Sequence, residues 1–143
     1  MNVPRSNDAV ARSKWVNAVA AINHRYLFLD PDIGFYKHHT GKSDKKLLIT
    51  ELAVMLDSRE TLIIYRHQYW PKLDEVPANA YRYVWHGLSM LRNAGFTSFV
   101  YQSQAASVFF ISKKESALAP FKQGFKDALA GVSAAVIERR LFG

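Results

Sequence analysis

The apolar positions of the chain change period several times, and each change marks a predicted element. From residue 8 to about 23, Trp15, Val19 and Ile22 recur at helical spacing, with Asn7 or Asp8 placed to cap the first turn. Tyr26-Leu27-Phe28-Leu29 is a continuous apolar run stopped by Asp30-Pro31, the pattern of a strand buried on both faces. Residues 33 to 47 hold Gly34, Gly41 and a concentration of charge, which predicts a long loop. Thr50 is placed to cap a short helix that buries Leu52, Met55 and Leu56. Thr61-Leu62-Ile63-Ile64-Tyr65 is a second apolar, β-branched run, ending in Arg66-His67-Gln68. Strand, short helix and strand make a βαβ unit, whose crossover is right-handed.

Downstream, Pro77 suits the first turn of a helix with Tyr81, Val84, Trp85, Leu88 and Leu91 as its stripe, and Gly95 fits just past its end. Phe99-Val100-Tyr101 and Ser107-Val108-Phe109-Phe110-Ile111 predict two strands joined near Gln104-Ala105, the second central and the first nearer an edge. Ser116 and Pro120 open a last helix carrying Phe121, Phe125, Ala128, Val132 and Ala135 at helical spacing, with Arg139 and Arg140 in its last turn. Gly124 and Gly131 weaken that helix by about 1 kcal/mol each unless they permit close packing. Together the elements predict a single α/β domain over residues 1–143. It is a small Rossmann-like half-fold, with two parallel strands and an antiparallel hairpin in one sheet flanked by helices.

Composition narrows the chemistry. The chain has 143 residues, enough for one core, and no cysteine, which excludes disulfides, thiolate metal sites and a thiol nucleophile. The N-terminal stretch MNVPRSNDAVARSKW lacks the apolar core of a signal peptide and no apolar run is long enough to span a bilayer, so a cytoplasmic location is expected. A net charge of +7 favours an anionic partner: nucleic acid, an acidic protein surface or anionic lipid.

The stretch LFLDPDIGFYKHHTGKSDKK concentrates the candidate chemistry. If the two long apolar strands are parallel neighbours, Asp30 and Asp32 emerge at the same sheet edge as Tyr65, Arg66, His67 and Gln68, where open α/β sheets place their ligands. Two carboxylates suit magnesium or manganese, and His67 could shuttle a proton or complete the coordination. Lys37, His38, His39, Lys42, Lys45 and Lys46 would supply a basic flap for phosphates, joined by Arg66 and by Tyr69 and Trp70 as stacking residues. The matching reaction is metal-assisted phosphodiester hydrolysis, with Asp30, Asp32 and His67 as catalytic residues and Asp30 and Asp32 as metal ligands. The plainer alternative is a turn, since aspartate caps local backbone and proline fixes φ. His24 and His86 read as packing or surface residues. Phosphate-loop, G-x-S-x-G and H-E-x-x-H motifs are absent.

The segments YLFLDPDIGF and TLIIYRHQYWP resemble a family of uncharacterised bacterial and phage proteins associated with restriction loci, which carry a DPD-N/T-G segment followed by an LIYQH-like strand. The likeness covers mainly residues 25 to 70. Ile33 stands where the family has asparagine or threonine, and Arg66 where glutamine is common. More remotely, the element order is similar to the C-terminal half of a Rossmann-like, S-adenosylmethionine-dependent methyltransferase. In adenine-N6 methyltransferases the corresponding motif, D/N-P-P-Y/F, holds the target base; here Asp32 replaces the second proline and no aromatic residue follows until Phe35. No glycine-rich turn precedes Tyr26 and no G-x-G occurs, so autonomous S-adenosylmethionine binding is not expected.

Two functions follow. One is a nucleic-acid-associated protein with a metal-dependent phosphodiesterase-type site at the sheet edge. The other is a noncatalytic protein-interaction module whose first strand, unpaired on one side, takes a protein partner or a second copy. The resemblance implies a phage or mobile-element setting for the latter, for example inhibition of a defence nuclease complex.

Overall fold

The computed structural model describes residues 9–31, 35–36, 47–67, 81–103, 106–131 and 140–143. The elements run α1 (Ala9–Ala20), β1 (Tyr26–Leu29), β2 (Phe35–Tyr36), β3 (Leu47–Leu48), α2 (Ile49–Leu56), β4 (Thr61–His67), α3 (Arg82–Asn93), β5 (Thr97–Gln102), β6 (Ala106–Ser112), α4 (Glu115–Ala130) and β7 (Arg140–Phe142). Five strands form one mixed sheet in the order β1-β4-β6-β5-β7. β1 and β4 are parallel, with Tyr26 level with Thr61 and Leu29 with Ile64. The other pairs are antiparallel, with Arg66 opposite Ser107 and Ser107 opposite Gln102. The expected α/β half-fold is thus present, with its hairpin and with β6 at the centre. No helix among the described residues is long and apolar enough to cross a membrane.

Alternation along the strands divides the sheet into two faces. On one, Leu62 and Ile64 of β4, Val100 of β5 and Phe109 and Ile111 of β6 pack with α1, α2 and α3. On the other, Phe99, Phe110, Ile63, Tyr101 and Val108 meet Leu118, Phe121 and Phe125 of α4. The first face is the larger core and is closed by polar ties. Arg12 of α1 grips Glu51 of α2 with two buried hydrogen bonds, Nε to Oε1 at 2.6 Å and Nη2 to Oε2 at 2.7 Å. Glu51 Oε2 also accepts the Leu48 N–H at 2.8 Å, satisfying one of the free donors at the start of α2. Arg59 Nη2 donates to the carbonyls of Val19 and Ile22 at 2.9 and 2.7 Å, so a residue from the far side of the crossover closes the C-terminus of α1. Burial pushes that guanidinium below its ordinary pKa.

α3 ends as its sequence predicts. Gly95 takes φ +83°, its N–H donates to Arg92 and the Phe96 N–H to Leu91, a Schellman closure that turns buried Phe96 into the core. Gly87, on the inner face of α3, has a different reason: a Cβ there would lie 2.8 Å from the Phe109 ring.

Several expectations are corrected. β1 is unpaired on its outer side among the described residues, as expected, but it is not buried on both faces: Tyr26 is 42 % and Phe28 57 % exposed. The stretch read as a loop contains β2 and β3, a parallel two-stranded pair whose Phe35 and Leu47 are fully buried. Those two apolar residues flank a polar segment, which hid their pairing from local pattern. α2 starts at Ile49 with Leu48 as its N-cap, not at Thr50. α4 begins at Glu115 and continues through Pro120 instead of opening there, and Arg140 begins β7, not the last turn of α4. A Cβ on Gly124 or Gly131 would meet open space, so close packing does not account for either. Trp85, assigned to the apolar stripe of α3, is 56 % exposed, with its ring edge-on to Phe142.

Candidate functional site

The carboxyl ends of β1 and β4 do lie together. One residue beyond the Leu29–Ile64 pair, Asp30 leaves the sheet level with Tyr65, exposed, while Pro31 is buried and ends the strand. His67, exposed, closes β4. The sheet thus brings Asp30 and His67 to one end; alternation points His67 to the face of α4, whereas Asp30, beyond the last paired residue of β1, lines the groove that Trp15 and Val19 of α1 also line. Among the described residues no hydrogen bond or ion pair joins them, and no group of three His, Asp or Glu side chains converges to hold a metal. Asp32, Lys37, His38, His39, Lys42, Lys45, Lys46, Tyr69 and Trp70 lie outside the described residues. Asp30 and His67 alone are too few ligands to hold magnesium or manganese.

Arg66 alternates with His67 along β4. It points to the opposite face, where its guanidinium carbon sits 3.4 Å from the centroid of the Tyr83 ring of α3. Beside it across the sheet, Ser107 Oγ donates to Gln102 Oε1 at 2.5 Å, and Gln102 Nε2 donates to the carbonyls of Ser103 and Ala106 at 2.6 and 3.2 Å. Ser107 and Gln102 are almost wholly buried. Arg66 therefore shares this end of the sheet with Asp30 and His67, as expected, while its side chain belongs to a polar layer on the face opposite His67.

On the α4 face a different set of residues converges. The Phe28 and Tyr65 rings are 6.2 Å apart and tilted by 39°, and Tyr65 meets His67 edge-on at 4.8 Å. Tyr65 Oη lies 3.4 Å from His67 Nδ1, which orients the imidazole beside the ring. Tyr26 continues the row toward the other end of the sheet, held edge-on by Phe121 at 5.3 Å and covered by the Arg25 guanidinium at 5.3 Å. Glu60 accepts a hydrogen bond from Arg25 at 2.7 Å and holds that guanidinium above its ordinary pKa. α4 lies over β5 and β6, so β1 and the end of β4 carry an open aromatic half-face of Tyr26, Phe28, Tyr65 and His67.

The sequence reading missed Tyr26 and Phe28 as surface residues because every position of YLFL is apolar, which hides which two face outward. The available signal was chemical: aromatic residues alternate with leucines, and the leucines are the pair that packs against α1.

Beside β1, on the face of α1, lies a groove of ≈ 330 Å³ lined by Trp15, Val19, Ile22, Leu27, Leu29 and Leu47 among others. Comparison with protein-family models, with curated proteins and with solved structures found no match for this chain.

Proposed function

We propose that the protein binds single-stranded nucleic acid on the open half-face of its sheet, with Phe28 and Tyr65 as the stacking platform and His67 at its end. The observation that carries this reading is the row of rings, Phe28, Tyr65 and His67, on the part of the sheet face that α4, among the described residues, leaves open, with Phe28 57 % exposed. Base stacking on such rings contributes about 1–3 kcal/mol per base and tolerates any sequence. The charge of +7 supplies the long-range attraction. The segment that follows Pro31 contributes Lys37, Lys42, Lys45 and Lys46 to that charge, with His38 and His39 among them. Asp30 at the rim repels phosphate, so the backbone of the bound strand runs along the side away from it.

Binding in this reading requires no metal. The test is fluorescence anisotropy of labelled single-stranded DNA and RNA, with EDTA, magnesium or manganese, and with gels scored for cutting. We expect binding in EDTA that weakens with salt, and a loss of roughly 5- to 150-fold in Phe28→Ala, the equivalent of one stacked base. No binding at low salt overturns the reading. Metal-dependent cutting that Asp30→Ala removes would instead establish hydrolysis at the sheet edge.

A further inference from the structure

We propose that two copies of this chain pair through β1, antiparallel about a two-fold axis that passes at Leu27 perpendicular to the sheet. Among the described residues β1 has one strand neighbour, β4, so its outer edge presents backbone N–H and C=O groups with no strand to receive them. Edges of soluble proteins are blunted by charge, proline or bulges. Within Tyr26–Leu29 there is none of these: four apolar residues in extended conformation, two of them substantially exposed. The apolar groove beside the strand adds surface that an incoming strand would cover on the α1 side.

The strand is complementary to itself. In an antiparallel two-fold pair, directly opposite residues share a face, so only registers that match outward with outward positions are open. Centring on Leu27 sets Leu27 against the partner's Leu27, Tyr26 against the partner's Phe28, and His24 against the partner's Asp30. Leucine then meets leucine on the groove side, aromatic meets aromatic on the open side, and Asp30 gains a basic neighbour. Centring on Phe28 instead keeps one aromatic pair, Phe28 against the partner's Phe28, where the Leu27 register makes two; it sets Tyr26 against the partner's Asp30 and Arg25 against the partner's Pro31, and so leaves Asp30 without His24. The Leu27 register is the one the side chains favour. Because the axis is perpendicular to the sheet, the two open half-faces lie on the same side and join across the seam.

The test is sedimentation equilibrium of the full chain, free of nucleic acid, followed by cross-linking. The chain has no cysteine, so single-cysteine variants report the register directly. In Leu27→Cys the two Cα atoms are opposed at about 4.5–5.5 Å, within disulfide reach. In Phe28→Cys the two are displaced by two residues along the strand, roughly 8 Å apart and outside that reach. A dimer in sedimentation, with mild oxidation cross-linking Leu27→Cys and not Phe28→Cys, is the expected result. Circular dichroism checks that both variants fold, and should Leu27→Cys fail to fold, the sedimentation of the unaltered chain decides. A monomer, or cross-linking at Phe28→Cys equal to or above that at Leu27→Cys, overturns the proposal. A monomer that still binds labelled single strands would sink this pairing while leaving the nucleic-acid reading intact.

Discussion

The two faces of the sheet are built from the same strands to opposite ends. Along β4, Leu62 and Ile64 point to α1, α2 and α3 and are fully buried, whereas Ile63, Tyr65 and His67, interleaved with them, open progressively to solvent. The difference arises from the helices: three close one face, while α4 alone crosses the other and lies over β5 and β6. One face holds the fold together and the other is free to carry recognition, so substitutions at neighbouring positions should separate stability from binding.

The largest effect is expected inside the covered face. Glu51→Ala leaves the Arg12 guanidinium buried without its carboxylate and removes the acceptor of the Leu48 N–H, a loss of about 3–5 kcal/mol. A fall in the urea midpoint measures it, and a change below about 1 kcal/mol would mean that the pair is open to water in solution. Leu62→Ala should cost about 2–5 kcal/mol by the same measurement, because its fully buried side chain leaves a cavity. Gly87→Ala follows at about 1–3 kcal/mol, since the new methyl meets the Phe109 ring at 2.8 Å and that ring is itself wedged against Phe35. Phe28→Ala comes last in stability, under about 1 kcal/mol at a side chain more than half exposed, yet it should be the variant that loses nucleic-acid affinity. Were Phe28→Ala to unfold the protein as readily as Leu62→Ala, the division between the two faces would fail.

The legible part of this fold was whatever period 2, period 3.6 or turn chemistry could express locally. Both parallel strands, the hairpin, the central place of β6 and the Gly95 closure of α3 follow from contiguous residues. What depended on distant contacts was hidden. β2 and β3 are two residues each, and nothing in Phe35-Tyr36 announces pairing with Leu47-Leu48. The unpaired side of β1 was legible, from the lack of any strand before it, but the exposure of Tyr26 and Phe28 was not, because a continuous apolar run reads as buried on both faces. At the candidate site, the common sheet end of Asp30, Arg66 and His67 was legible from two parallel strands, whereas the faces were not: Arg66 lies over Tyr83, and Phe28, read as core, is 57 % exposed.

The strand order also sets the sequence of events by which the sheet assembles. β5 and β6 are hairpin neighbours that need only a short loop to close, whereas β4 must find β6 across α3, and β1 must find β4 across β2, β3 and α2. Loop closure disfavours such distant pairings early, so the hairpin forms first and β1 joins the sheet after it. Until it does, β4 offers a vacant edge to any β1 in the vicinity, its own or that of another nascent chain. Amide exchange should accordingly be slowest across β5 and β6, and in Tyr26–Leu29 it should slow as the protein concentration rises and the β1 edges pair.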